Sequence, residues 1–154
     1  MDNLFENKIL IKNIHKVINR DSLIFCKDKI IDILKNAIID WDIYINFSPD
    51  NYVKTLVYRN SEYEIYVISW NQNQESPIHD HPNKGCVMKI LEGEIEEIRY
   101  NNNLDIIKTK KYKEGNITYI DNNIGYHKMR TVDRCITLHI YSPPEYKMNI
   151  FKKF

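Results

Sequence analysis

The sequence predicts a mainly β protein, an antiparallel β-barrel preceded by a small helical layer. Three observations carry that prediction. Apolar residues recur at helical spacing as far as Ile39, the chain beyond Trp41 breaks into short β-rich runs, and all four glycines fall among those runs. In the first part Leu4, Ile11, Ile14 and Ile18, then Ile30, Ile31, Leu34 and Ile38, form two apolar stripes with no Gly or Pro between them. Asp21-Ser22 supplies a break and an N-cap, which predicts two helices. In the second part the strand candidates are Tyr52–Tyr58, Glu64–Trp70, Gly85–Leu91, Ile95–Tyr100, Leu104–Thr109, Ile117–Ile120 and Arg134–Tyr141. Turn formers separate them, among them Asn60-Ser61, Glu92-Gly93-Glu94, Asn101-Asn102-Asn103 and Glu114-Gly115-Asn116. Strands this short and this evenly spaced build a sandwich or a barrel. With no linker, repeat or low-complexity stretch, the reading is one domain over 1–154, in which helices from 1–40 pack on a barrel formed by 41–154.

Composition narrows the function. The 154 residues are 43% apolar and 28% charged, as in a soluble globular domain. A net charge of +1 offers no broad phosphate-binding surface, which argues against a nucleic-acid partner. No apolar run reaches the ~18 residues of a membrane span, so no membrane role is expected. Asp2, Glu6 and Lys8 make the first ten residues unlike a signal peptide. Three cysteines without paired spacing point to a reducing, cytoplasmic setting.

Four of the five histidines lie in the β part. His79 and His81 sit two apart in Ser76-Pro77-Ile78-His79-Asp80-His81-Pro82. On an extended segment they face the same way and can converge on a metal, for which imidazole is the commonest ligand. The pattern alone equally describes two exposed histidines in a Pro-bounded loop. In Cys135-Ile136-Thr137-Leu138-His139-Ile140-Tyr141 one face carries Cys, Thr, His and Tyr and the other Ile, Leu and Ile. That is either an edge strand with a solvated polar face or a strand whose polar face lines a pocket. His15 reads as a surface residue of the first helix and Cys26 as a small buried hydrophobe of the second.

From His81 the chain runs through Cys86 to Gly93, and a second block runs from Gly115 through Asp121 to His127. This spacing resembles the paired motifs of the cupin superfamily, with Cys86 where many cupins place Glu. The resemblance implies a cupin-type double-stranded β-helix, or jelly roll, and a metal set of His79, His81 and His127. Three blocks are similar to the cysteine dioxygenases, a thiol dioxygenase family on that barrel. They are Asp40 to Val57, Trp70 to Gly93 with its Ser-Pro-Ile-His-Asp-His core, and Tyr119 to Pro144 with Leu-His-Ile-Tyr-Ser-Pro-Pro.

The resemblance implies a monomeric enzyme that holds Fe(II) and oxidises L-cysteine with O2 to cysteine sulfinic acid. It matches Tyr141 to the family's active-site tyrosine, and Thr137 and His139 to the relay that orients its hydroxyl. Cys86 matches the cysteine that animal members join to that tyrosine as a thioether; the alternative is a free buried Cys86 beside Tyr141. The polar face of the last strand then lines a pocket. One departure stands out: Tyr52-Val53-Lys54 has Lys where the family's substrate carboxylate meets an arginine. Lys keeps the charge and loses the bidentate fork, a difference of ~1–2 kcal/mol. Lys54 therefore either binds the carboxylate less tightly or tunes the site to another thiol, such as 3-mercaptopropionate, cysteamine or an N-terminal cysteine. Arg59, five residues on, should face the other side of an extended strand and be a poor substitute. Met148 is a candidate to close the pocket, in a segment shorter than in animal members. A non-catalytic cupin binding module is the reading from outside the enzymes.

Overall fold

The computed structural model describes residues 3–18 and 22–154, with side chains from residue 7 onward. Asp2, Asp21 and the side chains of Leu4 and Glu6 lie outside the described residues. Two helices, α1 (Asn3–Ile18) and α2 (Leu23–Asn36), form the helical layer. Ser22 stands at the N-cap of α2 with extended backbone, but its hydroxyl makes no cap bond; its carbonyl accepts from Phe25 and Cys26 instead. At the other end Lys89 donates to the Leu34 carbonyl at 2.6 Å, so a strand side chain caps the helix and ties it to the sheet. The helix stops before Ala37, and Ile38, placed on the apolar stripe by spacing alone, is 70% exposed.

The strands are β1 (Val53–Arg59), β2 (Glu64–Trp70), β3 (Ile78–His79), β4 (Cys86–Glu92), β5 (Glu94–Tyr100), β6 (Ile106–Lys113), β7 (Ile117–Ile120), β8 (Tyr126–Arg130), β9 (Cys135–Tyr141) and β10 (Ile150–Phe151). They form two five-stranded sheets, ordered β1-β2-β9-β4-β7 and β10-β3-β8-β5-β6, with antiparallel pairing throughout. Gly93 makes the one-residue turn between β4 and β5 at φ +84, where a Cβ would sit 2.6 Å from the Arg134 carbonyl oxygen. Three strands escaped the sequence reading. β3 and β10 are two residues each, and in β8 the inward positions are His127 and Met129, so the alternation is not one of apolar and polar. β6 begins at Ile106, not Leu104, because Leu104 turns at φ +62.

The helices cover the outer face of the first sheet. Ile14, Leu23, Ile30 and Leu34 are fully buried against Ile65, Val67, Leu138 and Ile140, each such side chain contributing roughly 1.5–3 kcal/mol. A second cluster, including Ile68, Trp70, Ile90, Ile95 and Met129, packs between the sheets. Strand β9 therefore has no solvated face: Ile136, Leu138 and Ile140 meet the helices, while Cys135, Thr137 and His139 are buried on the opposite side. Among the described residues no helix is long and apolar enough to cross a membrane.

Candidate functional site

His79 on β3 lies directly opposite His127 on β8, and His81 follows two residues after His79. The three rings meet with centroids 5.4, 4.6 and 4.4 Å apart, and one ligand atom from each lies within 4.8 Å of the others. His81 is held there by its backbone. Its N–H donates to Asn122 Oδ1 at 2.8 Å, and Asn122 Nδ2 donates back to its carbonyl at 2.9 Å. Asp121 shapes that loop, accepting from the backbones of Asn123 and Ile124 and from the Tyr119 hydroxyl at 2.7 Å.

The outward nitrogens settle the tautomers. His79 Nδ1 is 2.9 Å from the Pro77 carbonyl, which only accepts, and His127 Nδ1 is 2.7 Å from Glu97 Oε2. Both rings thus carry Nδ1–H, and their two Nε2 lone pairs face each other at 3.1 Å. Burial, then repulsion from its neighbours, holds His127 and His81 well below the usual imidazole range, so both stay neutral. Both ring nitrogens of His81 are buried without a hydrogen-bond partner. Facing lone pairs and an orphaned imidazole are unfavourable alone. They are the donor set that a divalent cation with a preference for nitrogen satisfies, so these residues fit such an ion.

Beside the triad, β9 presents a chain of polar contacts. Thr137 Oγ1 is 2.9 Å from His139 Nε2, and His139 Nδ1 is 3.2 Å from the Tyr141 hydroxyl. Trp70 Nε1–H donates to Thr137 Oγ1 at 3.0 Å and fixes the hydroxyl from behind, a contribution invisible in the spacing. Burial, reinforced by Lys54 and His79, pushes His139 down to about 3. Burial raises Tyr141 well above the usual phenol range, so it remains a neutral donor. Cys86 is directly opposite Tyr141 across the β4–β9 ladder, with Sγ 3.9 Å from His139 Nδ1. Its thiol is pushed up to about 12, chiefly by burial.

A cleft of about 360 Å³ opens over this group, lined by Tyr52, Lys54, Glu64, His79, Tyr141 and Met148 among others. Lys54 is solvent-accessible through the mouth, and its ammonium lies 4.7 Å from the ring centres of both Tyr66 and Tyr141. Desolvation lowers its pKa, opposed by Cys86 and Glu64. Tyr52 stacks on Trp70 at 4.5 Å. The mouth is closed on one side by the segment that carries Met148. Asp80, between the two histidines, accepts from the Tyr146 hydroxyl, from the Asn149 backbone at 2.8 Å and from its side chain at 2.7 Å. A larger groove, about 580 Å³ between α1 and α2, contains no histidine or cysteine.

Arg59 departs from its expected face. A β-bulge between Leu56 and Tyr58 shifts the register, so Lys54 opposes Ile68 while Arg59 opposes Glu64. Ile68 and Glu64 lie on one face of β2, and Arg59 therefore shares the face of Lys54. Its guanidinium is already engaged, by Glu64 at 2.8 Å, the Tyr66 hydroxyl at 2.9 Å and Glu145 at 3.4 Å.

The fold resembles solved cupin structures. A double-stranded β-helix protein from Klebsiella pneumoniae superposes with a TM-score of 0.63 at 19% identity, covering 77% of this chain and 93% of that one. A cupin superfamily protein from Desulfitobacterium hafniense gives 0.54 at 12% identity, over 64% and 83%. Among curated relatives, cysteine dioxygenase type 1 of Rattus norvegicus is 30% identical over 115 residues, 68% of this chain, and that of Homo sapiens 29% over the same length. The Danio rerio protein is 24% identical over 147 residues, 88% of this chain and 73% of its own. The match spans 58% of the length of the rat and human relatives. The family model for "Cysteine dioxygenase type I" matches residues 8–154, almost the whole sequence. The chain has the cupin fold and belongs to the cysteine dioxygenase type I family.

Proposed function

We propose that this protein is an iron(II)-dependent thiol dioxygenase that converts L-cysteine and O2 into cysteine sulfinic acid, both oxygen atoms ending on sulfur. The observation that carries the reading is the convergence of three neutral imidazoles, two with lone pairs turned inward, of which His79 lines a cleft that also holds an ammonium group. His79, His81 and His127 would hold the ion. Bound there, Fe(II) supplies the oxygen chemistry and favours the thiolate form of the substrate.

The protein's own groups bind and orient. Lys54 receives the substrate carboxylate, since Glu64 in the cleft wall is committed to Arg59. Tyr141 offers its hydroxyl proton toward the cleft, and Trp70, Thr137 and His139 fix where that hydroxyl points. Met148 and the strap held by Asp80 limit water at the mouth. The pairing of Cys86 with Tyr141 supports a thioether between Sγ and a carbon of the phenol ring, in which the S–H and one ring C–H bond break and dioxygen takes up both hydrogens as hydrogen peroxide.

Lys54 favours a second reading, the same centre acting on another small thiol, because an ammonium is a point charge and holds a carboxylate less rigidly than a guanidinium. Oxygen uptake by Fe(II)-loaded protein with cysteine, cysteamine and 3-mercaptopropionate separates the two. Preference for cysteine, with sulfinate formed mole for mole with oxygen consumed, is the expected result. Preference for another thiol selects the second reading. No uptake with any thiol, despite bound iron, overturns both and leaves a non-catalytic binding module.

A further inference from the structure

Glu97 has no place in the sequence motifs, yet it is among the most buried charged groups described, 1% exposed in the barrel interior. It sits on β5, whose Arg99 lies directly across the ladder from His127. Its two oxygens are divided. Oε2 accepts from His127 Nδ1 at 2.7 Å, while Oε1 accepts from Arg99 Nε at 2.7 Å and from the Tyr112 hydroxyl at 3.3 Å. Tyr112 in turn accepts from Thr118 Oγ1 at 3.3 Å, and Arg99 also donates to the Tyr119 carbonyl at 3.3 Å. The carboxylate is thus immobilised from one side by groups on three strands and presents one fixed acceptor to one ring.

A buried carboxylate carries a large desolvation penalty, and a hydrocarbon side chain would fill this apolar layer more cheaply. Arg99 offsets that penalty but does not require the second oxygen to reach His127. What the second oxygen does is geometric. Nδ1–H must point at it, so Nε2 is left with its lone pair and the ring plane is set. His79 receives the same service from the Pro77 carbonyl, a neutral backbone group. His81 receives none through its ring and is held by its backbone alone. The three ligands are therefore oriented by three different devices, and only that of His127 can be altered by changing a side chain that bonds to the ring.

We infer that Glu97, braced by Arg99 and Tyr112, is the positioning residue for His127, fixing its tautomer and ring plane so that the barrel presents a preformed divalent-cation site. The inference rests on the metal-binding reading of the triad. Outer partners of this kind carry about 10- to 100-fold in metal affinity. Removing the acceptor frees the ring to rotate or to take the other tautomer, and the affinity falls without loss of any ligand.

The test compares wild type, Glu97→Gln and Glu97→Ala as apo-proteins titrated with Zn(II) and Fe(II) against a competing chelator, each checked by apo-protein melting. Glu97→Gln keeps one acceptor oxygen, for which Arg99 Nε–H and His127 Nδ1–H compete, and is expected to hold metal with an affinity between those of wild type and Glu97→Ala. Glu97→Ala is expected to lose about 10- to 100-fold. In the diamagnetic zinc form, the His127 Nδ1 proton should give a slowly exchanging downfield resonance in wild type that is weakened in Glu97→Gln and vanishes in Glu97→Ala. If Glu97→Ala does not fold, an unchanged affinity in Glu97→Gln with loss of the wild-type resonance overturns the inference. So does wild-type affinity in a folded Glu97→Ala. Wild type that takes up neither metal sinks the triad reading and this inference with it.

Discussion

Replacing Lys54 by Met removes one charge and leaves a side chain of nearly the same length. Among the described residues Lys54 makes no ion pair; its ammonium rests on the faces of Tyr66 and Tyr141, 4.7 Å from each ring centre. Glu64, which would otherwise neutralise it, is bound by Arg59 at 2.8 Å. The ammonium is therefore available to an incoming carboxylate. A charge-assisted hydrogen bond contributes about 1.5–3 kcal/mol, which corresponds to roughly 10- to 100-fold in KM. The loss must be selective. With cysteine and 3-mercaptopropionate KM should rise by that factor, whereas cysteamine, which has no carboxylate, should be nearly unaffected. Oxygen-electrode kinetics on iron-matched samples reads both. Lys54→Arg should move the cysteine KM the other way by restoring a fork. Equal losses for all three thiols would mean that Lys54 supports the aromatic faces instead of the substrate. An unchanged cysteine KM would place the carboxylate elsewhere, with Arg59 on the same face the first alternative to test.

Three further outcomes follow from the same geometry. His127→Ala should abolish stoichiometric iron while leaving the circular dichroism of the apo-protein unchanged, and full iron occupancy in that variant would remove it from the ligand set. Cys86→Ser should collapse any doublet on a denaturing gel to one band; identical patterns in wild type and variant would exclude a thioether to Tyr141. The apo-protein should lose stability in mild acid. His139 stays neutral in the fold down to about 3, against 6.5 when unfolded, so the unfolded chain takes up the proton first as pH falls. That contribution is fully present above about pH 6.5 and drains toward pH 3 at up to about 1.4 kcal/mol per pH unit. His139→Asn should lessen the slope of melting temperature between pH 7 and 5, the remainder coming from His81 and His127, and an unchanged slope would refute the assignment.

What could be read from the sequence was whatever chemistry repeats at fixed spacing along one strand. Thr137, His139 and Tyr141 on alternate positions of β9 are brought together by strand geometry alone, whereas His79 and His81, two apart, share a side but His81 lies past the end of β3 and is pinned by Asn122. The turn glycines were legible because a tight turn at positive φ demands them, as at Gly93. Arg59 was misread because its face depends on a bulge, and one extra residue in a strand reverses the parity of everything beyond it. Glu97 and Asn122 were not legible because their partners lie 30 and 41 residues away, and a lone Glu in a Glu-rich strand looks like surface. Strand β8 was hidden for a related reason. Its inward positions are filled by a functional imidazole and a methionine, so the core-facing side does not announce itself as hydrophobic.

The contact of Asp80 with Asn149 has a consequence for biosynthesis. These partners are 69 residues apart, and β10, which carries Ile150 opposite His79, pairs only with β3. A ribosome delivers His79 and His81 long before His127, and residues 146–151 later still. Until those arrive, the edge of β3 has no partner on that side and the cleft has no outer wall. Through much of translation the emerging chain thus holds two imidazoles on a strand whose neighbours, β8 and β10, are both still to come. Productive metal capture is then a late event, gated by arrival of His127 and of the segment that seals the mouth, so the choice of ion falls to the completed barrel and not to the emerging chain.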